Sequence, residues 1–237
     1  MFSKKTELLL VKDCFGLESS IAGYVNFADL KQNVREEISS YYENQGSLYS
    51  IESELEWAYA EYQKCQKSGA EYQSSYIEPS VTMCASNAKI LCFDMSVLSS
   101  RMQNAKEYHQ GAVFDRETGK TVSIWDLFSV SKEEAVEALL SSVSEENLKN
   151  EMRQAIKPEY IILSGDEVNV IFPEGVLDSQ EYSFVIGIEY EDLQGVLHDW
   201  ANPDKLTDTA KTAYSINELQ TMHYSTNRTN EKELTNI

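Results

Sequence analysis

Positive charge is scarce in this sequence. Lysine and arginine together number 20 against 39 aspartates and glutamates, which gives a formal net charge of -19. A surface of that sign repels phosphate backbones, so the composition argues against nucleic acid as a partner. The same field attracts a basic protein, although a solvated acidic surface without any partner explains the count more simply.

Long hydrophobic runs are also missing. The run from Leu8 to Val11 is too short for the core of a signal peptide or for a membrane span, and no later stretch reaches membrane length. We therefore expect no membrane insertion by this chain. Its 237 residues are 42% apolar and 11% aromatic, which is typical of a globular protein that buries a substantial core.

Cysteines at metal-binding spacing are absent. The four cysteines form no Cys-x-x-Cys pair and have no histidine at zinc-finger spacing, so we predict no structural metal site. Only Cys84 and Cys92 lie close in sequence, on either side of a predicted turn at 86–88. One of the two strand registers would permit a disulfide between them, but buried free thiols are the simpler prediction.

Catalytic and cofactor motifs are missing as well. The triplet at 119–121 lacks the first glycine of a phosphate-binding loop, because Phe114 stands at that position. The three histidines, His109, His198 and His223, have no zinc-ligand spacing, and no nucleophile motif accompanies them. We predict no catalytic residues, no cofactor and no metal, and we interpret His109 as a strand residue whose ring has a partner.

The first half of the chain shows two kinds of periodicity. Apolar positions recur at helical spacing over 26–43 and 48–65, which predicts two amphipathic helices. The period then changes to two, which predicts a hairpin with strands at 76–84 and 89–98. The polar stretch at 99–106 is predicted to be a loop.

The stretch 107–128 predicts a second hairpin that ends in an aromatic cluster. Asp115 can bond the backbone ahead of it, and Gly119 can take the positive φ that a tight return needs. Burial of a cluster that includes Trp125 and Phe128 would then hold the turn in place.

The second half begins with helices and returns to strands. Ser131 with a glutamate three residues later is a capping box, and Pro158 ends the helical stretch. Strands are predicted at 160–163, 168–172 and 182–190.

These elements predict an α+β fold in which helices pack on a mostly antiparallel sheet. We expect one domain over residues 1–200, which could divide into subdomains at about 1–105 and 106–200. Beyond it, 201–237 is polar and sparse in large apolar residues, which predicts a loosely ordered tail.

Two stretches are similar to a known family. The segment Gly111 to Phe128, GAVFDRETGKTVSIWDLF, resembles its turn-and-anchor segment, and Tyr160 to Leu193 resembles its closing strand-loop-strand-helix. The family is the RsiV-like, or PdaC-type, domain of bacterial cell-envelope proteins, DUF3298 with an associated DUF4163-type amino-terminal half. The resemblance implies an α+β domain that works outside the cytoplasm, in the envelope or secreted, by binding, with lysozyme as the partner in the receptor case.

The resemblance and the charge lead us to expect a non-catalytic binding domain for a basic protein such as lysozyme. Recognition residues usually lie in loops on a rigid scaffold, and two connections are candidates. The expected contact residues are Pro173, Glu174, Asp178, Gln180 and Tyr182 in the loop 173–182, and Asp115 and Arg116 in the turn 115–120.

Two alternatives stay open. The chain could be a hydrolase, or an accessory domain, acting on envelope polysaccharide or peptidoglycan; this would place His109 or His198 against a carboxylate in a deep pocket. It could also be a structural spacer, which would have no saturable partner.

Overall fold

The structure is a computed structural model that describes residues 7–13, 27–44, 48, 50–101, 104–203, 220–225 and 235–236. Over these ranges the chain forms two β-sheets and four α-helices. All strand pairs are antiparallel except the pair of the first two strands, so the predicted α+β class is confirmed.

The larger sheet has seven strands in the order β10-β9-β1-β2-β3-β4-β5. Its centre is formed by three strands of twelve residues each, and burial alternates along most of the first of them, Ser75–Ser86. The strands are β1 (Glu7–Asp13), β2 (Ser75–Ser86), β3 (Ile90–Arg101), β4 (Asn104–Asp115), β5 (Thr121–Val122), β9 (Gln220–Ser225) and β10 (Thr235–Asn236).

The prediction of a polar loop at 99–106 is wrong. β3 and β4 include residues 99–101 and 104–106, where Ser99 pairs with Lys106 and Ser100 pairs with Ala105, and residues 102 and 103 lie outside the described residues. The strands extend beyond the part of the sheet that the core covers, so their ends can carry polar side chains that water satisfies.

Helices α1 (Gln32–Asn44) and α2 (Ile51–Ser68) cover one face of the central strands. The layer between them is rich in aromatic rings, and Phe93 and Phe114 meet edge to face with centroids 5.5 Å apart. Tyr42 of α1 contacts both rings. This arrangement confirms that the periodicity of 26–43 and 48–65 marks helices with one buried face.

The smaller sheet packs on the opposite face of the larger one. It contains β6 (Ile161–Leu163), β7 (Glu167–Phe172) and β8 (Phe184–Glu189) in that order. Helices α3 (Lys132–Leu139) and α4 (Glu146–Ala155) complete this second core. The predicted capping box is confirmed at α3, where Ser131 and Glu134 bond each other's backbone N–H.

Strand β6 crosses the larger sheet. A Cβ atom on Gly111 of β4 would collide with the carbonyl oxygen of Ile161. Two strands away, on β2, the thiol of Cys84 donates to the carbonyl of Leu163 at 3.2 Å. Glycine at 111 is therefore required by the close approach of the two backbones.

The cysteines Cys84 and Cys92 are free thiols, as the simpler prediction has it. A bulge between Met83 and Ala85 takes Cys84 out of register, so that Ala85 pairs with Cys92. Burial raises the pKa of Cys92 to about 12 and that of Cys84 well above its ordinary value. Cys14 lies outside the described residues.

The division into domain and tail stays a prediction. Residues 204–219 and 226–234 of the expected tail lie outside the described residues, while β9 within it pairs with β1. Among the helices that the structure describes, none is long and apolar enough to cross a membrane.

Candidate functional site

The turn after β4 is held by its own side chains. Asp115 Oδ1 accepts hydrogen bonds from the backbone N–H groups of Glu117 and Thr118, at 3.1 and 2.8 Å, and from the Thr118 hydroxyl at 2.7 Å. The bond from the Thr118 side chain is the main reason that the Asp115 pKa is lowered. Gly119 has a φ of 75°, and a Cβ atom there would lie 2.7 Å from the carbonyl oxygen of Val34. The turn is therefore closed against α1.

Arg116 joins this turn to two other segments. Its backbone N–H donates to the carbonyl of Lys89 at 2.8 Å, and its Nη1 donates to the carbonyl of Asn87 at 2.6 Å. The Asn87 side chain is buried and donates to the carbonyls of Trp200 and Asn202. Asp115 and Arg116 thus have internal partners, and their role in partner binding stays a prediction.

The loop between β7 and β8 is anchored at three points. Leu177 is buried in the core, and the backbone N–H and hydroxyl of Ser179 donate to Glu151 Oε2 at 3.1 and 2.8 Å. Lys106 of β4 forms an ion pair with Glu174 at 2.6 Å. The other expected contact residues of the loop are half-buried or exposed, namely Pro173, Asp178, Gln180 and Tyr182.

The two expected contact regions lie at opposite ends of β4. Glu174 contacts Lys106 near the start of the strand, whereas Asp115 is its last residue. Nine residues of extended strand span roughly 30 Å. The turn and the loop therefore do not combine into one compact site.

An exposed surface follows the loop along β8. The exposed fractions of Tyr182 and Val185 are 71% and 53%, the highest among the large hydrophobic side chains of the described residues. In β8 the residues alternate, so that Ile186 and Ile188 are buried while Val185, Gly187 and Glu189 face outward. We call the group Glu181, Tyr182, Val185, Gly187 and Glu189 the β8 surface.

The β8 surface lies in the most acidic part of the chain. The stretch 158–203 contains ten aspartates and glutamates and no lysine or arginine. These 46 residues are about a fifth of the chain and carry more than half of its net charge of -19. The total charge hides this concentration, and a running count of charge along the sequence would have revealed it. An aromatic and an aliphatic side chain are thus exposed within a strongly negative field.

A second polar cluster lies on β3 and β4 of the larger sheet. His109 Nδ1 is 2.9 Å from Asp94 Oδ2, and its Nε2 is 3.6 Å from Glu107 Oε1. The hydrogen bond to Asp94 is the main reason that the His109 pKa is raised. The interpretation of His109 as a strand residue with a partner for its ring is confirmed. The pairing with Asp94 was missed because it depends on the register of two strands.

His198 is in a different setting. His198 lies in a cavity of about 370 Å³ beside Asp199, and its ring stacks on Trp200 with centroids 5.6 Å apart. The side chain of His223 lies outside the described residues. Within the described ranges, no group of three or more His, Cys, Asp and Glu side chains is placed to hold a metal ion.

Among solved structures, six chains match this one, and two of them are DUF3298 family proteins. No family model matches the chain, and no curated protein matches it. A DUF3298 family protein of Pseudomonas aeruginosa PAO1 is similar with a TM-score of 0.37 and 18% identity, over 62% of this chain and 72% of that one. A member of the same family from Bacteroides fragilis NCTC 9343 is similar with a TM-score of 0.46 and 12% identity, over 71% and 80%. These values assign neither a function nor a partner.

Proposed function

We propose that this chain is a non-catalytic, extracytoplasmic binding domain of the bacterial cell envelope, of the RsiV-like or DUF3298 type. We further propose that it binds a basic protein, such as lysozyme, through the β8 surface. The observation that carries the proposal is the exposure of Tyr182 and Val185 within a stretch of ten carboxylates that has no lysine or arginine.

The two parts of this surface would act in different ways. The carboxylates would steer a basic partner toward the surface and raise the association rate, an effect that salt screens. Tyr182 would supply the buried contact, since aromatic side chains near the centre of an interface carry much of the binding energy. Charge alone would give weak binding that disappears in salt, whereas the apolar contact would survive.

The test is calorimetric titration of the full chain with a basic lysozyme at low and high salt. We expect saturable one-to-one binding that weakens but persists at the higher salt concentration. Tyr182→Ala should weaken this binding by about tenfold or more, because a hot-spot truncation costs about 2 kcal/mol. Tyr59→Ala is the matched control, since Tyr59 is 43% exposed but lies on α2, which packs on the other side of the larger sheet.

Binding that vanishes at the higher salt concentration would mean only that opposite charges attract. Equal loss in the Tyr59→Ala and Tyr182→Ala variants would place the contact elsewhere on the molecule. Absence of saturable binding at either salt concentration would favour the spacer hypothesis.

One observation favours the hydrolase alternative, namely the hydrogen bond between Asp94 and His109. A carboxylate that orients a histidine is half of an acid–base arrangement. However, the second ring nitrogen lies nearest to Glu107, whereas a catalytic base would face a hydroxyl or a water. Release of soluble fragments from peptidoglycan by the full chain, lost in His109→Gln, would support the alternative.

A further inference from the structure

β8 is the last strand of the smaller sheet within the described residues. β8 pairs with β7 over all six of its residues without a break in register, and none of the described strands pairs with its other edge. Every second residue of an antiparallel edge strand directs its N–H and C=O groups away from the sheet. These groups are a template for one more strand.

The usual protections of an edge strand are missing from β8. Natural edges carry lysine, proline or a bulge, and the sequence FVIGIE has none of them. The carboxylate of Glu167, from the neighbouring strand β7, lies over Gly187 and occupies the space that a Cβ atom there would need.

Charge decides which strand could pair there. In a pairing of two β8 strands, Glu181 and Glu189 of one copy would lie in the acidic field of the other, and 158–203 offers no lysine or arginine to balance them. A second copy, with its own net charge of -19, is therefore repelled. A strand with lysine or arginine at alternate positions is attracted, since Glu167 and Glu189 face the same side of the sheet.

We propose that the free edge of β8 binds an extended, basic segment of a partner protein as an additional strand. The segment would be about six residues long, matching β8, with basic residues on the face that carries Val185, Glu189 and Glu167 and apolar residues on the face of Ile186 and Ile188. This inference rests on the proposed function, because it specifies how the β8 surface would hold its basic partner.

The test uses a synthetic peptide of about six residues, alternating lysine and valine, with blocked ends. Two further versions carry N-methyl groups on alternate residues, beginning with either the first or the second. A strand directs successive N–H groups to opposite edges, so only one version loses the hydrogen bonds to β8. We expect one N-methylated peptide to bind about tenfold or more weakly than the parent and the other to bind equally well.

A protein variant provides the complementary test. Val185→Lys should weaken binding of the unmethylated peptide, because it adds a positive charge beside the edge. Gln154→Lys is the matched control, since it adds the same charge at an exposed position on α4. Amide exchange measured by NMR should show protection at every second residue of β8 when the peptide is bound.

Equal binding of both N-methylated peptides, or unchanged exchange along β8, would overturn the strand-pairing proposal. If a basic lysozyme still binds through Tyr182 in that case, the proposed function stands and only the mode of binding is wrong. If lysozyme and peptide both fail to bind, the proposed function and the strand pairing are both wrong.

Discussion

The turn at 115–120 and the loop at 173–182 are both surface connections. The side chains of the turn bond within the molecule, whereas those at the end of the loop and on the outward face of β8 are exposed. In the turn, Asp115 and Arg116 bond groups within the molecule, and Gly119 closes against α1. Beyond the loop, Tyr182 and Val185 are exposed and lie in the most acidic stretch of the chain.

This difference shows that exposure of a connection is a weak indication of a binding site. A polar side chain that already has internal partners would have to give them up in order to contact another protein. An exposed tyrosine has no internal hydrogen bonds to lose on binding, and the burial of its ring in an interface is favourable. We therefore expect mutations in the turn to change stability and mutations in the β8 surface to change binding.

The largest expected effect comes from a pair of glycines, one in each connection. Gly119 and Gly175 both have a positive φ, at 75° and 79°, but only Gly119 lies against another backbone, the carbonyl of Val34. Gly119→Ala should lower the free energy of unfolding by about 2–4 kcal/mol, since strain and collision add. Gly175→Ala should lower it by only about 1 kcal/mol. Urea unfolding of both variants measures the contrast, and equal losses would contradict it.

A smaller effect is expected at Asp115. Asp115→Ala removes three hydrogen bonds and should cost about 1–2 kcal/mol of unfolding free energy at neutral pH. Folding lowers the pKa of this carboxyl. The ionised carboxylate therefore stabilises the fold at pH values above its ordinary pKa of about 3.9, and this stabilisation is lost as the pH falls through the pKa of the folded state. The difference in unfolding free energy between wild type and Asp115→Ala should therefore decrease at acid pH. Affinity for a basic partner should change little, and a large loss of binding would make the turn part of the site.

His109 also has a partner within the molecule. Replacing it should lower the free energy of unfolding by less than Asp115→Ala does, and this loss should depend on pH in the opposite direction. The folded state raises its pKa, so the stabilisation is complete below the ordinary value of about 6.5 and is lost as the pH rises through the folded value. His109→Gln should cost below about 1 kcal/mol near pH 5.5 and still less near pH 9. Thermal unfolding of wild type and His109→Gln at the two pH values checks this. A difference in stability that increases with pH would contradict it.

The smallest effect on stability is expected at Tyr182. Tyr182→Ala should change the free energy of unfolding by no more than about 0.5 kcal/mol, because the side chain is 71% exposed. Urea unfolding is again the measurement. A loss of 2 kcal/mol or more would mean that Tyr182 packs within the molecule and is not available as a contact.

Much of the local structure follows from residue types. The bonds of Asp115, the positive φ of Gly119 and the capping box at Ser131 each depend on a few neighbouring residues, and all three are found. The helices and long strands follow from the spacing of apolar residues, which reflects burial on one face.

Contacts between distant segments could not be predicted in this way. Asn87 bonds Trp200, 113 residues away, and the backbone of Ile161 rests on Gly111. The continuation of β3 and β4 into 99–106 was hidden because polar side chains suit both a loop and an uncovered strand. The exposure of Val185 depends on which face of β8 is buried, and register decides this.

The most direct test of the account is amide hydrogen exchange of the full chain with and without a saturating basic lysozyme. We expect new protection over residues 181–189 and unchanged exchange over 115–120. Protection at 115–120 with unchanged exchange along β8 would contradict it.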